Sequence, residues 1–268
     1  MPGSNDRAMA KAKSLPADVI IFDLEDAVAP DAKVEARAAV VEVVRHGGYG
    51  ARELVIRVNG IDTPWFEEDL AAAKATGVAA VLVPKVNSAD DIHRAATGEV
   101  PVWAMVETPL AVLNIGAIAA APALQALVMG TNDLGKDMRA EMTPDRLAFL
   151  TALSMTVMAA RAHGKIAIDG VYNGIGDEVG LEAECDQGRT LGFDGKSLIH
   201  PSQIEVANRI FSPSAEALDQ ARAIIAAFDE PENADRGVIK VGGKMAERLH
   251  LEEAKKLVAL SDMIDATA

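Results

Sequence analysis

The 268-residue chain has one cysteine, Cys185, so no disulfide can form within it. Basic residues are scarce: 26 Lys and Arg stand against 40 Asp and Glu, a formal net charge of −14. An acidic surface of this kind argues against nucleic acid or an anionic membrane as a main partner. No apolar run reaches the roughly 18 residues of a membrane span. The opening residues, Ser4-Asn5-Asp6-Arg7, carry no apolar signal segment. Together these features point to a cytoplasmic protein. No Gly-rich dinucleotide turn follows an early strand-like run. The five histidines are scattered, and no His or Cys cluster has zinc-site spacing. His46 and His163 fall near expected helix ends, where a cation complements the helix dipole.

What is present is a regular alternation. Short β-branched runs are followed by Ala-rich stretches. The strand-like runs are Asp18–Leu24, Leu54–Val58, Ala79–Val83, Val100–Val106, Leu127–Gly130, Ile166–Ile168 and Gly192–Ile199. Most are continuously apolar, as parallel strands covered on both faces are. Helices are expected over Ala8–Ser14, Lys33–Arg45, Trp65–Thr76, Asp90–Ala96, Leu110–Ala120, Pro144–His163, Asp177–Leu191 and Pro201–Phe211. Thr63-Pro64 and Thr143-Pro144 read as helix starts, Ser88 with Asp91 as a capping box, and Gly77 and Gly164 as helix ends. Repeated strand–helix units predict a (β/α)8 TIM-type barrel, for which about 250 residues is the usual length. Its first strand is short or missing, because Met1-Pro2-Gly3-Ser4 already reads as a strand-to-helix turn. The barrel is expected over residues 1–228. Residues 229–268 read as a linker, a hairpin at Val238–Val241 with Gly242-Gly243, and a helical lid at Leu249–Leu260.

Barrel chemistry sits at the C-terminal strand ends. Those exits read Asp23-Leu24-Glu25-Asp26, Arg57-Val58-Asn59-Gly60, Pro84-Lys85, Glu107-Thr108-Pro109, Gly130-Thr131-Asn132-Asp133, Asp169-Gly170 and Lys196. Carboxylates gathered at one mouth repel unless a cation neutralises them, and hard oxygen ligands favour Mg²⁺ or Mn²⁺. On chemistry alone, Glu107 fits a metal ligand and a salt bridge to Arg57 or Lys85 equally well. Asp133 fits a turn or helix cap as well as a ligand. Lys85 fits a surface or phosphate-contacting lysine better than a Schiff-base nucleophile.

Read together, the exits resemble the citrate lyase β-subunit/malyl-CoA lyase family, the HpcH/HpaI aldolase-like CoA-ester lyases. The matching segments are Pro-Gly-Ser-Asn-Asp-Arg (2–7), Asp-Leu-Glu-Asp-Ala-Val (23–28), Ile-Arg-Val-Asn-Gly (56–60), Val-Pro-Lys (83–85), Glu-Thr-Pro (107–109), Gly-Thr-Asn-Asp-Leu (130–134), Ala-Ile-Asp-Gly-Val-Tyr (167–172) and Gly-Phe-Asp-Gly-Lys-Ser-Leu-Ile-His-Pro-Ser-Gln-Ile (192–204). The resemblance implies a Mg²⁺-dependent carbon–carbon lyase. It would cleave or form a 3-hydroxyacyl-CoA such as malyl-CoA or citramalyl-CoA, with acetyl-CoA and a 2-oxo acid as products. It implies Glu107 and Asp133 as Mg²⁺ ligands (Mn²⁺ in its place) and Arg57 at the reacting carbonyl. Glu25 and Asp26 become carboxylates around the metal's waters, and Arg7 and Lys11 lie in the segment that contacts the coenzyme A phosphates. Relatives assemble as homotrimers or hexamers, and many carry a lid Asp that a neighbouring subunit supplies as the proton donor. This chain reads Gly243-Lys244-Met245-Ala246-Glu247-Arg248, with Glu247 at the Asp position. Two further outcomes stay open: a thioesterase on the same substrate, and a citrate lyase β-like subunit acting on an acyl-carrier thioester.

Overall fold

A computed structural model describes residues 1–268 apart from 97, 234 and 268. By internal contacts the chain divides into two units, Met1–Asn208 and Arg209–Ala268.

The first unit contains α1 (Asp6–Ala12), β1 (Val19–Asp23), α2 (Lys33–His46), β2 (Glu53–Arg57), α3 (Phe66–Lys74), β3 (Ala80–Val83) and α4 (Ala89–Ala95). There follow β4 (Val102–Val106), α5 (Pro109–Leu113), α6 (Ile115–Ala119), β5 (Leu124–Met129), α7 (Thr131–Met138), α8 (Leu150–Ala162), β6 (Ile166–Asp169), α9 (Glu178–Leu191) and β7 (Gly195–Lys196). The helix α10 (Ile204–Phe211) crosses the division between the units.

The seven strands form one parallel sheet in strict chain order. Each strand pairs with the next and the order never reverses. This is the progression of a barrel wall rather than of a doubly wound sheet, whose strand order switches direction. Residues 1–3 take the place of a lead strand. Pro2 forms a parallel bridge with Asp23, and Gly3 donates to the Asp23 carbonyl at 2.8 Å. A side chain at Gly3 would collide with Val40 at 2.8 Å, so only glycine lets the segment lie this close. The expected lead strand is therefore reduced to one bridge. Among the described residues no ladder joins β7 to this edge, so the expected closed eight-stranded barrel is described more coarsely as a curled parallel sheet of seven strands.

Period-two alternation divides each strand between two faces. Val55, Ala80, Leu82, Trp103, Met105, Ala126 and Val128 form one buried cluster, with Val19, Ile21 and Ile168 packed on it. These residues line the concave face. Residues of the other parity, among them Ile20, Phe22, Ile56, Val81, Val102, Leu127 and Met129, are buried as well, beneath the helices. Burial on both faces explains the continuously apolar runs.

Several expected boundaries move for local reasons. The stretch expected as one helix from Pro144 begins only at Leu150, because Arg146 adopts a left-handed backbone with φ of 52°. The stretch 110–120 breaks at Asn114, whose amide donates to the Asn87 carbonyl instead of facing solvent. Thr63 bonds back to Gly60 and does not cap α3. The Ser88–Asp91 capping box is present, and Gly77 and Gly164 carry the positive φ that ends α3 and α8. The strand expected at 192–199 shrinks to two residues, since Gly192 is the left-handed cap of α9.

The second unit is built from α11 (Ala215–Asp229), β8 (Val238–Val241), β9 (Lys244–Glu247) and α12 (Arg248–Thr267). Its small core is Phe228, Ile239, Ala246 and Leu251. Gly242 and Gly243, both at positive φ, make the two-residue hairpin turn that antiparallel strands favour. The helix α11, which Ser214 caps through the Ala217 N–H, falls in a stretch where no helix was expected.

Candidate metal and thioester site

Strand parity delivers three charged groups to the concave face. Asp23 continues Val19 and Ile21, Arg57 continues Val55, and Glu107 continues Trp103 and Met105. Asp23 and Arg57 are register partners across β1 and β2. They form a bidentate pair, with Nε to Oδ1 at 2.7 Å and Nη2 to Oδ2 at 2.6 Å. Asp23 also accepts the Glu25 and Ala27 amides. Burial works against its charge, but Arg57 and these amides overcome that and hold its carboxyl below the usual range. Arg57 is in turn held above its usual value, burial being outweighed by Asp23 and by the charges of Glu25 and Asp26.

Two of the five Arg57 N–H groups go to Asp23. Its Nη1 lies 3.1 Å from Glu25 Oε2, an ion pair without hydrogen-bond alignment that leaves Oε2 a buried oxygen with no donor. Donors on Nη1 and Nη2 thus remain for a ligand. Glu25 Oε1 accepts from the Lys85 ammonium. Asp26 is exposed, 3.9 Å from both Arg57 and Lys85.

Lys85 is one of three non-glycine residues with positive φ among the described residues, at 53°. This turn aims its backbone N–H at Glu107 Oε1, 2.7 Å away, while its side chain crosses to Glu25. Burial would lower the Lys85 value, but the Glu25 bond and the surrounding carboxylates raise it.

Glu107 is 1% exposed. Burial lifts its pKa to about 7, against the pull of the Lys85 N–H and ammonium. The salt-bridge alternative required Arg57 or the Lys85 ammonium on this carboxylate. Its bonded partner is instead a neutral backbone N–H, and among the described residues no donor bonds Oε2. Gly130 sits so close that a Cβ there would be 2.5 Å from Glu107 Cβ and Oε2. The same loop then enters α7, whose first turn carries Asp133. Asp133 is half-buried, and its carboxylate takes no hydrogen bond among the described residues.

Among the described residues, no group of three or more His, Cys, Asp or Glu converges on one point. Mg²⁺ takes one or two protein carboxylates and keeps waters for the rest. Two carboxylates on adjacent exits, Glu107 buried and bonded through one oxygen and Asp133 taking no hydrogen bond among the described residues, fit such an ion.

Arg7 and Lys11 lie on α1, which leaves the Pro2 bridge at the same end of the sheet as the Asp23 exit. Both are exposed and neither makes a salt bridge among the described residues. Glu247 ends β9 in the second unit, half-buried, its N–H bonded to His250 Nδ1 at 2.9 Å. Asp169 and Lys196, read from the sequence as mouth residues, have the other parity. They turn toward α9, where Lys196 bonds Asp169 at 3.2 Å and Glu184 at 2.7 Å. Asp23, the anchor of Arg57, reads from the sequence only as an exit carboxylate that could cap the loop before Pro30, although its alternation with Val19 and Ile21 was the available signal for its place on the concave face.

The arrangement pairs an arginine fork with two carboxylates suited to a hard cation, and a family model for HpcH/HpaI aldolase/citrate lyase matches residues 1–201. The chain belongs to the HpcH/HpaI aldolase/citrate lyase family. Among relatives, a (3S)-malyl-CoA thioesterase of Cereibacter sphaeroides is 49% identical over 268 residues, covering 99% of this chain and 94% of that protein. The citrate lyase β subunit of Leuconostoc mesenteroides is 34% identical, with 99% and 94% covered. A crystal structure of CitE from Mycobacterium tuberculosis, in complex with magnesium, acetoacetate and coenzyme A, superposes with a TM-score of 0.82 at 31% identity. It covers 98% of this chain and 96% of that one. For this member of the HpcH/HpaI family, among the described residues no helix is long and apolar enough to cross a membrane.

Proposed function

We propose that this protein is a Mg²⁺-dependent enzyme acting on a malyl-CoA-type thioester, and that it hydrolyses the thioester. The observation that carries the site is the buried Glu107, bonded only to a backbone N–H, beside the loop that delivers Asp133. The 49% identity to malyl-CoA thioesterases supports hydrolysis over carbon–carbon cleavage. In this reading Glu107 and Asp133 hold the cation, with Mn²⁺ able to replace it. When bound, the ion supplies Lewis-acid polarisation and a template for the substrate's hydroxyl and carboxylate.

Arg57 then does the work common to both outcomes. Its donors not used by Asp23 face the thioester oxygen and stabilise the negative charge that develops there. In hydrolysis, water adds to the thioester carbon, the C–S bond breaks, and the products are the free acid and the coenzyme A thiol. In this reading the exposed Asp26, 3.9 Å from Arg57 and Lys85, accepts the water's proton with its neighbour Glu25. Arg7 and Lys11 supply uncommitted cations for the coenzyme A phosphates.

The second reading is the lyase, or a citrate lyase β-like subunit working on an acyl-carrier thioester, supported by the citrate lyase β relatives. Here the same Arg57 donors stabilise an enolate oxygen, and Glu247, in the 229–268 segment read as a lid for a 1–228 catalytic part, returns a proton to carbon. In a homotrimer or hexamer that lid serves a neighbouring subunit.

One incubation separates these readings. With malyl-CoA and Mg²⁺, malate and free thiol in equal amounts support hydrolysis. Glyoxylate with acetyl-CoA supports the lyase. The absence of any turnover of the CoA ester overturns hydrolysis and the CoA-ester lyase, and leaves the acyl-carrier subunit.

A further inference from the structure

On the convex side of β6 and β7, four charges are sealed together. The Asp169 and Lys196 side chains are fully buried and that of Arg146 is 2% exposed, with Glu184 almost as deep. Arg146 Nη1 bonds both Asp169 oxygens, at 2.8 and 2.9 Å, and its Nε bonds Gln187 at 2.6 Å. Two cations balance two carboxylates, so the cluster is complete and has no evident use for a ligand. None of these residues reaches the concave face.

One bond leaves the cluster toward the mouth. Lys196 Nζ holds the Gly170 carbonyl at 2.6 Å, and the Gly170 N–H is held by Asp169 Oδ1 at 2.8 Å. Gly170 is thus clamped at both of its backbone polar groups. It lies directly against the end of β5 and the start of α7: a Cβ at Gly170 would be 3.0 Å from Thr131 Oγ1 and 3.2 Å from both Thr131 Cγ2 and the Met129 carbonyl oxygen. Its φ is not in the left-handed region, so the requirement for glycine here is the close approach. Two residues later on α7 comes Asp133. A second tie runs parallel to the first. Asn132 and Asn173 exchange reciprocal amide bonds at 2.7 and 3.1 Å, joining the same α7 turn to the same β6 exit loop.

We propose that Lys196 and Asp169 are positioning residues for Asp133. They clamp Gly170, Gly170 fixes Thr131, and Thr131 sets where the α7 carboxylate stands relative to Glu107. The inference rests on the reading of Glu107 and Asp133 as the metal pair. It adds that half of this pair is aimed from a buried cluster on the opposite face of the sheet. A helix terminus left free to rock would hold the two carboxylates at variable separation, and residues that orient metal ligands typically govern metal affinity by 10–100-fold.

The test is Mn²⁺ binding to the full-length protein, followed by electron paramagnetic resonance and calorimetry, with thermal melting alongside. Lys196→Met should weaken Mn²⁺ binding about tenfold or more. Leu70→Ala, a core truncation on α3, which packs on α2 and β3 rather than on the strands that deliver Glu107 and Asp133, should give a comparable loss of melting temperature and leave binding within about twofold of wild type. Equal weakening by both variants would reduce the cluster to general stability and overturn the proposal. Should Lys196→Met fail to fold, Gly170→Ala carries the test. Its methyl group pushes on Thr131 and on the Met129 carbonyl, so Mn²⁺ binding should weaken about tenfold, and Gly170→Ala with Thr131→Ala should recover part of it. Wild-type affinity in Gly170→Ala, or no recovery in the double variant, overturns the inference while leaving the metal reading intact. A wild-type protein that binds no Mn²⁺ removes the metal reading itself and the inference with it.

Discussion

The exits of β1 to β4 and those of β6 and β7 are built from the same residue types but come to different electrostatic states. On the concave face, the four carboxylates Asp23, Glu25, Asp26 and Glu107 meet the side-chain cations of Arg57 and Lys85, with the Met1 ammonium near Asp23. One Glu25 oxygen has no donor, and Glu107 is held by a single amide. On the convex face, Asp169 and Glu184 meet Arg146 and Lys196 with every charge paired. The first group is left short of positive charge and the second is not. Buried charge that is balanced in place serves the fold, whereas buried negative charge left over is a standing demand for a cation.

The sharpest way to break this contrast is to unbalance the closed cluster. Lys196→Met leaves Asp169 and Glu184 buried beside a single cation. Removing one partner of a buried pair costs about 3–5 kcal/mol, so the melting temperature should fall by roughly 10 °C, at about 2–4 °C per kcal/mol in a domain of this size. A drop below about 2 °C would mean that water or a shifted side chain replaces the lysine.

Glu107→Gln is the counterpart at the mouth. It removes a carboxylate that is costly to ionise in place, so stability should hold or rise. Activity on malyl-CoA should nevertheless fall about 100-fold or more, since the cation is asked to supply several kcal/mol of charge stabilisation. Thiol release, measured beside a melting curve, checks both halves. Wild-type activity in this variant would remove Glu107 from the ligand set.

Arg57→Lys tests the fork rather than the charge. A lysine keeps the positive charge but cannot grip both Asp23 oxygens and still present fixed donors to the substrate. A loss in kcat/KM of about 100–1,000-fold is expected, on the scale of an oxyanion donor, with the larger part in kcat rather than KM. A variant altered only in KM would place Arg57 in substrate binding and not at the developing charge.

How much of this contrast was legible in the sequence follows from strand parity. Asp23, Arg57 and Glu107 each continue an alternating series whose apolar members line the concave face, so their delivery to the mouth could be read directly. The same count sends Asp169 and Lys196 to the other face. Grouping all the exits as one mouth therefore overstated the cluster. Arg146 was not legible in this way. Thr143-Pro144 is a good helix start by local chemistry, and what defeats it is a buried ion pair to Asp169, 23 residues further on. Lys85 was visible as a lysine, but its left-handed backbone, which turns an amide rather than the ammonium onto Glu107, has no signature in Val-Pro-Lys. The reduction of the lead strand to one bridge was expected from Met1-Pro2-Gly3-Ser4, and Gly3 explains it sterically.

The smallest expected effect separates the two regions by pH. The Glu107 value of about 7 lies above the ordinary 4.5. The stability contributed by its neutral form is therefore fully present below about 4.5 and is lost as pH rises through about 7. A cation that binds the ionised form reverses that loss, because it stabilises the folded state by an amount that grows with affinity. The rise in melting temperature on adding a fixed Mg²⁺ concentration should thus be larger at pH 8 than at pH 6. The difference should be a few degrees, at about 2–4 °C per kcal/mol. Glu107→Gln should flatten that dependence. Gly170→Ala, which leaves Glu107 titrating and moves only its partner, should lower the whole increment while keeping its pH dependence. An increment equal at both pH values in the wild type would assign the cation to groups already ionised at pH 6, and so away from Glu107.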